Sequence, residues 1–505
     1  MPSSSNRIAA NTVIMYVRMI FLIVISFYTS RLLLSALGVE DFGIQSVVGS
    51  ISSTFMSLKA LFSESVQRFL NFEKGKESLE GQQKVFSISI WIHLALAFIF
   101  VTLVEIVGCW LISNKLEIPP EKIQTAFFVF HCNVIAIFIS IFSIPYDALI
   151  IANEKMGTYA FVSIIDAILR LIAVIIISYY AYNKLKLYAA LLIIIPSFTL
   201  VYQLIYCRRF PECKISRKVD KPLLRNVLSL SGWNFFGNMS FSVLHEGVNM
   251  LLNMFGGLVY NASRTVAYQV KGVASNLTYN TLVSVRPRVM QQAASEDKKI
   301  TFSNINAVSR IAVLTIFLPV SILCPYTYQL LDLWLVDVPE SATLFTQLIL
   351  ISVVVRSMHE PLNMLFMAFG KLKRMMLIEA GIMLSSLFVI FLSLKNNAAI
   401  WIPFLELGLM EVLIIIGLLI NAKTELGFSI KAYLKDVVSL FLVSTVTVLT
   451  ISFLLNVFAT PNSIFGVICL SFISGIVYSI VAYLMLNDRE RSIILNMLAK
   501  ILKHK

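Results

Sequence analysis

Runs of 20 or more apolar residues recur along the whole chain, for example at 123–144, 159–182 and 437–458, with short polar breaks between them. As a helix, each is long enough to cross the ~30 Å hydrocarbon core of a bilayer. Transmembrane barrels would instead show alternating stretches of about ten residues. The pattern therefore predicts an all-α polytopic membrane protein. Fourteen spans fit, at roughly 8–34, 43–67, 85–113, 123–150, 158–182, 188–207, 227–255, 262–285, 303–333, 343–367, 375–394, 400–420, 436–457 and 463–486.

Composition agrees with that reading. Of 505 residues, 58% are hydrophobic and only 14% charged, and the mean hydropathy is +0.83. A soluble chain of this length would keep about a quarter of its residues charged and split into domains. The first apolar run lacks a small-residue cleavage site, so it reads as a retained helix and not as a signal peptide. The six cysteines form no CxxC motif and lie mostly in apolar runs, so they read as small core residues with no metal site. Catalysis fits poorly. The largest outside loop, about 114–122 with Glu117 and Glu121, is too small to shape an active site, and no GxxxxGK[ST] phosphate cradle is present. The chain is expected to be neither an enzyme nor a cofactor protein.

The +13 net charge is unevenly placed. Loops on one side and the two tails hold 28 Lys and Arg residues, against five on the other side: Lys115, Lys122, Lys184, Lys186 and Lys395. By the positive-inside rule both termini are cytoplasmic, and the charge needs no nucleic-acid partner.

The chain also repeats. Leu33, Leu34, Gly38, Val48, Ser57 and Arg68 match Leu251, Leu252, Gly256, Val266, Ser275 and Arg286 at an offset of 218. In PYDALIIANEK and PLNMLFMAFGK, Pro145, Leu149, Ala152 and Lys155 match Pro361, Leu365, Ala368 and Lys371 at an offset of 216. Six helices separate the copies, which predicts a parallel repeat of two six-helix lobes around a central cavity. The expected boundaries are 1–210, 211–425 and 426–505, the last holding two added helices and a cytoplasmic tail.

SRLLLSALGVEDFGI at the end of the first span, the basic loop after the second, the IPYDALIIANEKM turn and the fourteen-span plan carry a family likeness. On them the chain resembles a polysaccharide or O-antigen flippase of the multidrug/oligosaccharidyl-lipid/polysaccharide exporter superfamily. The resemblance implies two lobes around a cavity lined by spans 1, 2, 7 and 8, in a bacterial inner membrane. It also implies passage of an undecaprenyl-pyrophosphate-linked oligosaccharide from the cytoplasmic to the periplasmic leaflet. Lipid II flippases and cation-coupled drug exporters share the design, so both stay open as alternatives.

Eight cations fall inside spans: Arg18, Arg31, Lys59, Arg170, Arg264, Lys271, Arg310 and Arg356. A cation at the bilayer centre costs roughly 2.5–3.5 kcal/mol on insertion scales. Arg31, Arg264 and Arg310 lie nearer span ends and can snorkel. Arg170 has Asp166 four residues before it, and Arg356 has Glu360 four residues after it, the spacing of an intrahelical pair. Arg18 and Lys271 have no acidic neighbour at that spacing. Asn11, Arg18 and Thr29 share a face of span 1. Span 2 offers Ser46, Ser50, Ser53, Ser57 and Glu64, with Lys59 off the stripe. Span 7 offers Asn234, Asn238, His245 and Asn249 with Glu246 beside them, and span 8 offers Arg264, Lys271, Ser275 and Thr278. Such stripes face protein or water. Arg18, Lys271, Arg264, Lys59, Asn238, His245 and Asn249 are candidates for gripping an anionic headgroup. His245, Glu246 and Asp166 are candidates for coupling H+ or Na+. Polar contacts between helices are the alternative at every one of these positions.

Overall fold

The computed structural model describes residues 4–56, 59–153, 155–180, 182–216, 221–294, 298–458, 461, 463–487 and 491. Every regular element among them is helical: α1 (Ser4–Met56), α2 (Lys59–Gly75), α3 (Leu79–Asn114), α4 (Ile123–Ala152), α5 (Met156–Tyr179), α6 (Lys184–Cys207), α7 (Lys221–Gly256) and α8 (Leu258–Ala294). They continue with α9 (Lys298–Leu323), α10 (Thr327–Trp334), α11 (Ala342–Ala368), α12 (Leu372–Lys395), α13 (Ile402–Leu426), α14 (Ile430–Tyr433), α15 (Ser439–Phe458) and α16 (Ile464–Met485). Eleven stretches among the described residues are long and apolar enough to cross a membrane. The chain is an all-α polytopic membrane protein.

Helix α1 runs through the first expected span and into the second. As one straight rod its 53 residues would reach about 80 Å at 1.5 Å per residue, far beyond a bilayer. It breaks at Gly38, whose φ of 76° and ψ of 171° leave the helical region for one that is essentially confined to glycine. The α7–α8 joint is as short. Gly257 alone separates the two helices, at φ +86°.

The chain divides into two compact units, Met1–Ala262 with Leu335–Pro339, and Ser263–Trp334 with Glu340–Lys505. In the first, α4 packs against α3 and α6, and α1 against α5. Its core gathers Val47, Val48, Val129, Phe130, Leu185 and Ala189. In the second, α11 packs against α13 and α9, and α12 against α13. Phe345 and Phe404 pack there as a tilted pair with ring centroids 4.2 Å apart.

Each unit contains the turn that the 216-residue offset singles out. In α4 the helix carries Pro145 and ends at Ala152, after which Asn153 N–H donates to Leu149 O and Lys155 N–H to Ile150 O, both at 3.1 Å. In α11 the helix carries Pro361 and ends at Ala368, after which Phe369 N–H donates to Leu365 O at 3.2 Å and Lys371 N–H to Phe366 O at 2.9 Å. Lys155 and Lys371 then open α5 and α12 with nearly equal backbone angles, φ −85°, ψ 56° and φ −93°, ψ 49°.

Candidate functional site

Three intramembrane cations of α1 and α8 meet tyrosines. Arg18 on α1 lies over the ring of Tyr159 on α5, 4.9 Å from its centroid, and its buried Nε has no hydrogen-bond acceptor. On α8, Arg264 and Lys271 sit on either side of Tyr268 in sequence and both approach its ring, at 3.7 Å and 4.6 Å. Residues four and three apart share a helix face, so one aromatic side chain serves both cations. Arg264 is buried and Lys271 half-buried. A guanidinium over an aromatic face keeps its N–H edge for other acceptors while the ring offsets part of its desolvation.

The remaining candidates are dispersed. Asn238 is exposed on α7, and Glu246 is half-buried one turn from Ser242. His245 is buried, edge-on to Phe241 at 4.3 Å. Asn249 is committed elsewhere: its amide donates to Ser46 O and Oγ at 3.2 and 3.3 Å, and its oxygens accept from Asn261 Nδ2. Asn261 Oδ1 in turn accepts from Asn253, which also exchanges hydrogen bonds with the backbone of Glu117. This asparagine chain ties the α7–α8 joint to α1 and to the 115–122 loop. The side chains of Lys59, Ser53, Ser57, Glu64, Asn234 and Thr278 lie outside the described residues.

The two expected intrahelical pairs part company. Arg356 meets Glu360 at 2.8 Å. Asp166 does not meet Arg170. Its Oδ1 accepts from Thr199 Oγ1 on α6 at 2.5 Å, leaving Arg170 on an exposed face. A hydroxyl one helix away outcompetes a guanidinium that reaches water. Arg310 is held at two helix ends: it donates to the carbonyls of Asp436, just before α15, and Met485, the last residue of α16, at 2.9 and 2.8 Å.

Arg356 belongs to a larger cluster within α11, α12 and α13. Its Nη1 reaches Glu411 Oε1 at 3.0 Å. The other Glu411 oxygen lies 2.9 Å from His359 Nδ1, and His359 Nε2 lies 2.8 Å from Glu379 Oε1. His359 is fully buried and Glu411 nearly so. An imidazole donates at both nitrogens only as the imidazolium, so the two carboxylates define a proton-holding position. With that proton, two cations face three carboxylates and the cluster carries one surplus negative charge. Tyr433 braces it by donating to Met358 O at 2.9 Å. His359, Glu379 and Glu411 carried no local spacing signal, because the contacts join three helices. The readable cue was the presence of glutamates in apolar runs.

The second unit also contains a cavity of about 130 Å³ with almost wholly apolar walls. Phe317, Leu350, Val354, Phe441 and Val448 line it, from α9, α11 and α15.

No protein-family model matches the sequence, and no curated protein matches it. Solved structures do. The lipid II flippase MurJ in an inward closed conformation superposes with a TM-score of 0.67 at 17% identity, over 93% of this chain and 98% of that one. A multidrug resistance MATE family transporter of the MOP superfamily, in its outward-facing conformation, gives 0.55 at 14% identity, over 82% and 95%. Another MOP superfamily transporter, from Pyrococcus furiosus and described as having a binding pocket of reversed polarity, gives 0.50 at 14% identity, over 80% and 96%. The chain has the fold shared by these flippases and multidrug transporters of the MOP superfamily.

Proposed function

We propose that the chain is a flippase, not an enzyme, carrying an undecaprenyl-pyrophosphate-linked oligosaccharide from the cytoplasmic to the periplasmic leaflet of a bacterial inner membrane by alternating access. The observation that carries this reading is the Arg264–Tyr268–Lys271 group, with Arg18 on Tyr159 as its counterpart. Guanidinium and ammonium groups suit a pyrophosphate, and the tyrosine rings beside them suit sugar faces. The apolar cavity between α9, α11 and α15 is suited to part of an isoprenoid tail. A lipid II flippase would use the same features and is the second reading. A cation-coupled drug exporter fits less well, because Glu360, Glu379 and Glu411 already face Arg356 or His359 and leave no open carboxylate there for a cationic drug.

A driving proton fits the same arrangement. His359 between Glu411 and Glu379 supplies a protonatable position in the membrane, where ionisable groups are costly unless used. In this proposal it takes the coupling role, ahead of His245, Glu246 and Asp166.

Deleting the gene is expected to leave lipid-linked glycan on the cytoplasmic leaflet while its synthesis continues. Normal surface glycan combined with new drug sensitivity would overturn the reading in favour of an exporter. Within the protein, Lys271→Ala is expected to hold or raise the inserted amount while translocation per molecule falls. Lys271→Arg should retain substantial activity, and Lys271→Glu should be worse than Ala through repulsion of the anion. Equal specific activity in all three would remove Lys271 from the substrate path.

A further inference from the structure

The side of α3 and α4 that faces away from the first unit's core is apolar: Ile106, Val107, Trp110, Phe128 and Ile135 are all exposed. Three chemically different metal donors interrupt it. Glu105 and Cys109 are four residues apart on α3, and His131 comes from α4. One ligand atom from each lies within 4.8 Å of the others, the one such trio among the described residues. The glutamate already bridges the other two, with Oε1 3.1 Å from His131 Nδ1 and Oε2 accepting from Cys109 Sγ at 3.7 Å. The rings of Phe127 and Phe130 flank the imidazole, their centroids 6.2 and 5.5 Å away.

We propose that Glu105, Cys109 and His131 bind one Zn²⁺. The donor set of imidazole, thiolate and carboxylate is the one this cation favours, and three protein ligands leave a fourth position for water. Charge supports the assignment. A thiolate and a carboxylate cancel the two positive charges of the ion, so the filled site is neutral and suits an apolar surface. Binding releases the thiol proton to solvent. Depth supports it too. The 36 residues of α3 span about 54 Å, well over the ~30 Å hydrocarbon core. Glu105 lies nine residues, about 14 Å, before the helix end at Asn114, in the part of the span nearer that end. Trp110 is 53% exposed beside it, as expected of an aromatic at the membrane interface. His131 remains 49% exposed, so the fold itself does not enclose the site. The sequence hid this site because its histidine comes from the next helix, outside any CxxC or HxxxH spacing.

The test is titration of the tag-free, full-length protein in lipid nanodiscs with Co²⁺ alone. One Co²⁺ per chain is expected, with the visible bands of four-coordinate cobalt and a near-ultraviolet thiolate-to-cobalt band, all erased by one equivalent of Zn²⁺. Cys109→Ser should abolish the thiolate band, and His131→Gln and Glu105→Gln should each weaken Co²⁺ binding at least tenfold. Cys213→Ser should change nothing. Should Cys109→Ser fail to fold, His131→Gln decides by the same titration, because its side chain is half outside the fold. Absence of the band, or a band that survives Cys109→Ser, would overturn the site and leave only a Glu105–His131 ion pair.

Discussion

Helices α4–α5 and α11–α12 share a proline position, a turn and the backbone of the lysine that follows it, yet their chemistry is opposite. Arg356, His359 and Glu379 correspond at the 216-residue offset to Ser140, Ser143 and Ser163. Each of those serines closes back onto its own helix, donating to Ala136 O, Ser140 O and Tyr159 O at 2.8–3.0 Å. Around this turn the first unit's other polar contacts are pairwise, as in Gln203 donating to Asp147 at 2.6 Å or Thr199 donating to Asp166. The second unit joins five ionisable groups from three helices into one cluster. A common backbone frame thus tolerates either self-satisfied hydroxyls or a charge network, and at these positions only the network offers a place for a proton.

The harshest way to break this comparison is Glu411→Ala. It removes the one carboxylate that joins Arg356 to His359 and leaves each with a single partner, Glu360 or Glu379; losing one partner of a buried ion pair costs up to about 3–5 kcal/mol. The expected result is a large drop in the melting temperature of the detergent-purified protein. Unchanged melting would mean that the cluster is hydrated and loosely held.

Importing the first unit's solution is expected to be gentler. Arg356→Ser, His359→Ser, Glu379→Ser and Glu411→Gln together remove both sides of the Arg356–Glu411, His359–Glu411 and His359–Glu379 pairs and leave only the half-buried Glu360 without its partner; removing both sides of a pair can be nearly neutral where a single deletion is not. This variant should insert and melt closer to the parent than Glu411→Ala does, while translocation becomes insensitive to the pH gradient in reconstituted vesicles. Gradient-driven transport that persists in the quadruple variant would end the coupling role of His359.

The smallest effect is expected at Asp147→Asn in the first unit. Asparagine still offers an oxygen to Gln203, so one charge-assisted hydrogen bond becomes an ordinary one, worth about 1 kcal/mol. Asp147→Leu strands the buried amide and should cost more, about 1–3 kcal/mol. Equal melting of the two variants would show that the Gln203 contact contributes nothing.

These contrasts mark how far the sequence could be read. Apolar run length located the helices, because crossing a bilayer imposes a minimum length on each one. The 216-residue repeat was visible because a proline and a turn leave fixed punctuation. Arg356–Glu360 was visible because both ends lie on one helix. The Asp166–Arg170 expectation used the same rule and failed, because Thr199, 33 residues away, was closer in space. His359, Glu379 and Glu411 lie 20 and 52 residues apart; they meet only after α11, α12 and α13 have packed, and no local spacing encodes that. The tyrosines beside the cations were missed for a simpler reason: aromatic residues are common in apolar runs and carry no signal until a neighbour is known.

The break at Gly38 bears on how the protein is made. No heavy atom lies within 4 Å of where its Cβ would be, so space is not what demands glycine there; the backbone angles alone do. A single residue joins the two segments of α1, so no long hydrophilic loop intervenes for the insertion machinery to act on, only the Glu40–Asp41 pair at the start of the second segment. The two segments are therefore expected to leave the ribosome and enter the bilayer as one hairpin. An alanine at 38 would act at that moment, through a backbone that resists turning, and its mark would be slower membrane integration during synthesis.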